Sequence, residues 1–529
     1  MSDANVSRRS YLKLAGGAAA SAALAGCTGG NQDGNGTTTT SGGGGEPPEN
    51  FQVTITQGQM PSTLDPHNHR ETPTDNVVLQ AYEGLLARDA EGKIISKLAT
   101  EHERVEKGTV KFTIREGVTF HNGDELTPED VAFSINRIVK PNTGGLKSPQ
   151  RDQLSGVTGA EVVDGERAVR VNSEGINPVV FSLFASYCDV MQKSWVQNTD
   201  QIAKKMNGTG PFELQNYNES VRVVFQRYGD YWRDPADVSK LTFEAAKESS
   251  TRVNQLLNGE TDIVVNVPPQ SAGRVKNSNG ARIAPVPSTR IIYNAMRYDV
   301  EPFSSQKFRR ALNLAIDLPS IIENILSGFA DPTGQPTLEG FTGYNGNVEP
   351  YPANKQKAQR LVEESGHAGA SITLHTPVGR YLKDVEIAQA VSRQIDQLNN
   401  VSCSVQQRDF TSLAGELSDG DITTGPNFYL IGWGNATFDA SQTIIPLLTT
   451  DGALTSYSND RVDRLMQEAQ SMSDGDQRKQ KLQRANKIIH DQAPWIFLNR
   501  QYSVYGVNQE LQWQPRRDER INAYGISQK

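Results

Sequence analysis

Residues 371–407 fix the fold class. "SITLHT" (371–376) alternates as a strand does, Val385, Ala388, Val391, Ile395 and Leu398 recur on one face of a helix, and "VSCSVQQ" (401–407) alternates again. A strand, a helix and a second strand in so few residues define a βαβ unit, because two parallel strands need a crossover between them. The chain is therefore α/β in class.

Other segments read as helices by their caps and periods. Thr127-Pro128-Glu129-Asp130 supplies an N-cap, a proline at the first helical position and first-turn acids. Val131, Ile135, Ile138 and Val139 follow at helical spacing. "FRRALNLAID" (308–317) carries a second apolar stripe, and Ala358, Leu361 and Val362 a third that stops at Gly366. Two more helices are expected at Val462 to Met472 and Leu482 to Ile489, with Pro494 beyond. "NGTGPF" (207–212) lacks the spacing of a dinucleotide fingerprint and reads as a turn into a strand.

The N-terminus reads as an address. Arg8, Arg9 and Lys13 precede an apolar run, Leu14 to Gly26, that is too short to span a bilayer and ends at Cys27. Ser7 to Lys13 resembles a twin-arginine export signal with Tyr11 where phenylalanine is usual, and Leu24 to Cys27 resembles a lipobox. Together they imply export of a folded protein and lipidation of Cys27, and they are similar to the leaders of archaeal exported lipoproteins. Residues 28–50, rich in Gly and Thr, read as a flexible tether.

With 529 residues the chain can bury more than one core. The leader holds three cations (Arg8, Arg9, Lys13) and one anion (Asp3), so the net charge of −8 becomes −10 without it. That balance argues against nucleic acid as a partner, since phosphate contacts need basic patches. No Walker loop, G-x-S-x-G elbow, C-x-x-C or H-E-x-x-H motif is present. His67 and His69 are only two donors where zinc usually has three or four protein ligands, so no metal and no cofactor are expected. His121 is expected to shape a turn with Asn122 and Gly123.

"TLDPH" (63–67), "YEGLLARD" (82–89), "VKFTIREGVTFHNGDELTPEDVAFSINRI" (110–138), "GTGPFEL" (208–214), "RVNQLLNGETDI" (252–263), "FRRALNLAID" (308–317) and "YSNDRVDRLMQEA" (457–469) occur in one order. This order resembles that of the extracytoplasmic solute-binding proteins of the oligopeptide/dipeptide/nickel ABC-transporter family, family 5, from about residue 50 to the C-terminus. The resemblance implies a two-lobed periplasmic-binding-protein-like clamp of type II, with an extra subdomain in lobe one. It implies a leader at 1–27, a tether at 28–50, lobe one at 50–288 plus 500–529, and lobe two at 289–499. The chain would cross between lobes near "PSTRIIYNA" (287–295) and "FLNRQYS" (497–503), two adjacent hinge strands.

The same resemblance implies a monomeric, non-enzymatic binding protein, held at the membrane through Cys27, that captures a peptide or similar solute. It would deliver that solute to an ABC permease and its ATPase by hinge closure. Peptide-binding relatives carry an Asp three positions past the Trp of a Gly-Trp pair, where it meets the peptide ammonium. Here "IGWGNATFDASQ" (431–442) has Ala436, with Asp439 one turn of loop away as a substitute. An oligosaccharide, which needs aromatic platforms and neutral hydrogen bonds, is the alternative ligand, and a sensory receptor on the same fold the alternative role. Trp433 is expected in the pocket because Gly432 and Gly434 would place its ring on a flexible, exposed segment. Arg380 sits after a strand and ahead of a helix, where an anion could meet both the guanidinium and the helix N-terminus. Asp65 and His67 lie in a loop that faces the cleft in this family, and Tyr293 and Asn294 lie on a hinge strand. Whether Cys188 and Cys403 pair is open. Sequons at Asn207, Asn218, Asn400 and Asn435 permit glycosylation.

Overall fold

The computed structural model describes residues 47–529 apart from Ser220, Asp419 and Gly420, so the export signal, Cys27 and the tether up to Glu46 lie outside the described residues. The βαβ unit forms from strand Ala370–Pro377, helix Asp384–Asp396 and strand Val401–Arg408, the two strands parallel and in register from Ala370↔Val401 to Pro377↔Arg408. Local capping works as the sequence implies. Thr127 and Asp130 close a reciprocal capping box at the start of Pro128–Val139, and Gly366 ends Lys355–Ser365 in the left-handed region at φ 81°. Helices Asp460–Gln470 and Asp476–Gln492 occupy the last two predicted segments.

These elements assemble on one mixed sheet of eleven strands. Val401–Arg408 and Ala370–Pro377 lie toward one edge, and Lys240–Ala245, Arg222–Arg227 and Phe212–Asn218 toward the other. Two long antiparallel strands, Ala281–Met296 and Trp495–Asn508, run side by side in the middle. Their ladder is interrupted between Pro287 and Ile291 and again between Ile292 and Tyr293. Pro285 and Pro287 are tolerated because the first strand takes its second neighbour, Phe428–Gly434, only from Arg290 onward; their missing N–H groups therefore fall on an unpaired edge.

The hydrophobic core divides accordingly. One cluster gathers Phe51, Ile55, Tyr82, Phe225, Phe243 and Trp513. Two others, built around Phe308, Leu312 and Leu430 and around Tyr293, Trp495 and Leu482, draw only on residues from Ile291 to Leu498. A four-stranded antiparallel sheet, in the order Ala99–Glu106, Thr109–Ile114, Ala168–Ser173, Val157–Val162, has its own core with Pro128–Val139 packed on it. Cys188 and Cys403 are both buried and unpaired. Among the described residues no helix is long and apolar enough to cross a membrane.

The turn at 207–212 leads into strand Phe212–Asn218, and its glycines serve close approach. A Cβ on Gly208 would stand 1.9 Å from the Ala81 carbonyl oxygen and 2.8 Å from the Tyr82 ring. Gly208→Ala must therefore displace backbone, at a cost of about 1–3 kcal/mol or more. The expected result is a lower urea midpoint with an unchanged m-value. His121 holds the same turn, hydrogen-bonded through Nε2 to the Gly210 carbonyl at 3.0 Å. Asn207 and Asn435 are buried and hydrogen-bonded through their side chains, so a glycan at either position is sterically excluded.

Candidate functional site

Several contacts join the two core-bearing halves, and one group of them meets residues 435–438. Ser186 Oγ donates to the Ala436 carbonyl at 2.8 Å, and Arg88 Nη2 donates to the Thr437 carbonyl at 2.9 Å. The Arg88 guanidinium also lies 4.7 Å from the Phe438 ring centroid. The returning tail Gln514 to Arg520 runs along the same seam. Arg516 pairs with Asp518 and reaches the Arg88 carbonyl, Glu519 takes Arg290 at 2.8 Å, and Arg520 donates to the Ser186 carbonyl. The seam is therefore lined with charge, most of it compensated.

Two charges there are not. The Arg380 side chain is exposed, stacks on Tyr381 and Phe410 with its guanidinium 5.2 and 5.0 Å from their centroids, and has no hydrogen-bonding or ionic partner among the described residues. Although Arg380 reaches solvent, the protein packed around its guanidinium takes away part of its hydration, and with the nearby Arg290 cation this pushes its pKa down. Asp189 is half-buried, and its carboxylate likewise lacks a partner. Burial raises its pKa to about 6, with Arg520 opposing and Asp75 reinforcing the rise.

Asp439, Asp65, His67, Tyr293 and Asn294 are all buried, and the first three have their polar groups engaged inside the protein. Asp439 is held by Arg478 through two contacts of 2.6 and 2.8 Å and also accepts from Ser441, so its charge is spent inside the protein rather than left for an ammonium. Asp65 makes a bidentate pair with Arg137, at 2.9 and 2.7 Å, and caps its own turn by accepting from the His67 N–H. His67 is fully buried; burial and the Arg137 charge lower its pKa to about 4, so the ring is neutral near pH 7. Its Nε2 lies 2.7 Å from the Asp189 carbonyl, which fixes Nε2 as the protonated nitrogen and ties the loop to Asp189. Tyr293 is buried in a stack on Trp495 with centroids 3.6 Å apart. Asn294 is fully buried, paired across the strands with Leu430 and Ile496, and neither end of its amide has a hydrogen-bond partner among the described residues.

Trp433 departs from its expected setting. It belongs to strand Phe428–Gly434, opposite Ile291, and is half-buried with Nε1 donating to the Gln442 carbonyl at 3.2 Å. Its flanking glycines make room rather than flexibility. A Cβ on Gly432 would meet Ile292 and Tyr381 at 2.7 and 2.8 Å, and one on Gly434 would meet Arg290 at 3.1 Å. The loop leading into the helix beyond Arg380 is already bonded, and the carboxylate that bonds it, Asp384, stands in the first turn of that helix and takes the Val385 N–H as well. Asp384, raised in pKa by burial against four backbone hydrogen bonds, accepts from the N–H groups of Gly379, Arg380 and Tyr381. Only the guanidinium half of the anticipated anion site stays open. Arg88, Ser186, Asp189 and the 514–520 run escaped sequence reasoning, although "YEGLLARD" contains Arg88 and the run of charges Arg516 to Arg520 is conspicuous for a C-terminal tail.

Two core-bearing halves joined by paired long strands, with a four-stranded subdomain attached, make the two-lobed α/β clamp of the periplasmic binding proteins. The chain belongs to the bacterial extracellular solute-binding proteins, family 5, whose middle region matches residues 93–454. Among curated proteins, the glutathione-binding protein GsiB of Escherichia coli O1:K1 / APEC is 24% identical over 457 residues, covering 84% of this chain and 88% of that one. Among solved structures, the ABC transporter-associated periplasmic binding protein DppA of Helicobacter pylori, in complex with peptide STSA, superposes with a TM-score of 0.78 at 19% identity, over 91% of this chain and 99% of the other. The ABC transporter substrate-binding protein CtaP of Listeria monocytogenes gives 0.81 at 20% identity, over 91% and 100%.

Proposed function

We propose that this protein captures a short peptide carrying both a free amino and a free carboxyl end and passes it to an ABC importer. The observation that carries this reading is the pair of unspent opposite charges on the seam. Arg380 takes the carboxylate and Asp189 the ammonium, the latter replacing the acid that Ala436 lacks. A buried ammonium without a counter-charge would cost several kcal/mol, so a carboxylate elsewhere on the wall is what a peptide requires. Trp433 supplies an apolar face beside them, and His67 positions Asp189 through its carbonyl. The relatives named for glutathione and for a bound tetrapeptide are in keeping with this class.

In the clamp, residues 50–288 with 500–529 form one lobe and 289–499 the other, with the two long strands as the hinge. Preferential binding to the closed state drives the closure. Export through the Arg8-Arg9 signal and lipidation of Cys27 keep the protein at the outer face of the membrane, on the tether that follows.

Isothermal titration with di- to tetrapeptides, their N-acetylated forms, oligosaccharides and Ni²⁺ tests the reading. Free peptides are expected to bind, and N-acetylation to abolish binding. Because a proton competes for Asp189, the peptide Kd should rise about tenfold per pH unit below pH 6 and be level above it. Asp189→Asn should bind weakly at every pH with that dependence gone. Binding of oligosaccharides but not peptides would refute the assignment.

A further inference from the structure

Beside the interruption in the long strands, two arginines stand together, apart from Arg380. Arg500, on strand Trp495–Asn508, is only 3% exposed. Its Nε donates to the Ser288 carbonyl at 2.6 Å and its Nη1 to the Glu339 carbonyl at 3.2 Å. Its Nη2 is buried with no hydrogen-bond partner. Arg517 approaches the same place from the tail. Its carbonyl accepts from the Thr289 N–H at 3.1 Å, next along the chain from the residue that holds Arg500. Its Nη1 lies 3.4 Å from where a Cβ on Gly340 would stand, next to the residue whose carbonyl holds Arg500. No hydrogen bond or ion pair engages the Arg517 guanidinium among the described residues.

Two guanidinium groups thus flank one peptide, Glu339–Gly340, close enough for the Arg517 charge to act on Arg500. Loss of solvation and then that repulsion lower the Arg500 pKa to about 10. The acids in reach do not close either fork. Asp331 accepts from the Tyr502 hydroxyl at 2.9 Å, Glu519 is taken by Arg290, and neither Asp331 nor the Glu339 carboxylate pairs with Arg500. A buried cation with an unused N–H, next to a second unpaired cation, lacks an anion.

We propose that Arg500 Nη2 and the Arg517 guanidinium form an anion site against the Glu339–Gly340 turn, matched in charge to a small carboxylate or another compact oxyanion. Nη2 of Arg500 and the planar fork of Arg517 can share one such group, which satisfies the orphan N–H and offsets the repulsion together. Phe341, its ring centroid 6.0 Å from the Arg500 guanidinium, walls one side. The anion is either free in solution or an acidic side chain of the solute, Arg380 taking the terminal carboxylate, and only the second source rests on the peptide reading above.

Sodium formate titrated into the purified full chain in chloride-free buffer tests the site by thermal melting. A saturable rise in Tm of about 2 °C at tenfold excess over Kd is expected. Arg464→Gln, which removes an exposed cation elsewhere, should respond as the wild type does, while Arg517→Gln should not. Identical responses in all three proteins would mean screening alone and overturn the site. Crystals soaked in sodium bromide should show an anomalous peak within hydrogen-bonding distance of Arg500 Nη2, absent in Arg517→Gln; a wild-type crystal without that peak would also overturn it. Displacement of bromide by a peptide with a glutamate side chain but not by its glutamine analogue would identify the solute as the source. A formate response that survives when no peptide binds leaves the anion site standing and removes only the peptide reading.

Discussion

Asp65→Ala should lower stability by about 3–5 kcal/mol, among the largest losses any single side chain of this protein can cause. Its partner Arg137 is 2% exposed and belongs to helix Pro128–Val139 of the subdomain. Asp65 belongs to the loop that packs under that helix. Removing the carboxylate strands a guanidinium in the interior, with Nε already lacking a partner. The cost is that of an uncompensated buried charge rather than of the pair itself, so Asp65→Leu/Arg137→Met should recover much of the loss. Acidity provides an independent check. Burial alone would raise the Asp65 pKa, but the hydrogen bonds and charge of Arg137 outweigh it and hold the value below the usual carboxylate range. A depressed folded pKa stabilises above the unfolded value, near 3.9, and that contribution fades as pH falls through the folded one. Urea unfolding of wild type and double variant should therefore differ in slope against pH on the acid side only. Equal acid sensitivity would show that the pair contributes no such linkage.

How far the sequence reaches is clear from these same residues. The capping box at Thr127, the stop at Gly366 and the βαβ unit are set by neighbours within a turn or two, so period and capping chemistry reveal them. The Asp65 partner lies 72 residues away and the Ser186 contact to Ala436 spans 250, and nothing in local composition encodes such meetings. Trp433 shows a subtler limit. Glycine on both sides reads as freedom until the neighbours are known, and here it is clearance for Tyr381, Ile292 and Arg290. Asp439 was legible as an acid near the pocket but not as one already matched, because Arg478 comes from a helix 39 residues on. Local signals gave the elements and the acid types; which charges stay unspent is a property of the packed chain.

That distinction yields the second large effect. Arg380→Ala should weaken peptide binding by two to three orders of magnitude while leaving stability within about 0.5 kcal/mol, since the guanidinium gives up no hydrogen bond in the free protein. Losing one partner of a desolvated charge pair costs about 2–5 kcal/mol in a complex, and the upper part of that range applies if closure excludes water from Arg380. Asp439→Ala should do the reverse. It leaves Arg478, with its buried guanidinium, only the exposed Asp474 at 3.4 Å, and so lowers stability by several kcal/mol. At a temperature where the variant stays folded, its peptide affinity should be near that of the wild type. Titration calorimetry and urea unfolding on both variants separate the roles. An Asp439→Ala protein that is stable yet no longer binds would return the ammonium to Asp439 and displace Asp189. The Arg380 result is read against peptide amides. If Arg380 meets the terminal carboxylate, the substitution and the amide remove the same interaction, and the amide should bind both proteins alike. An amide that binds the wild type as tightly as the acid does would mean that Arg380 faces water, and that the solute is gripped by other groups.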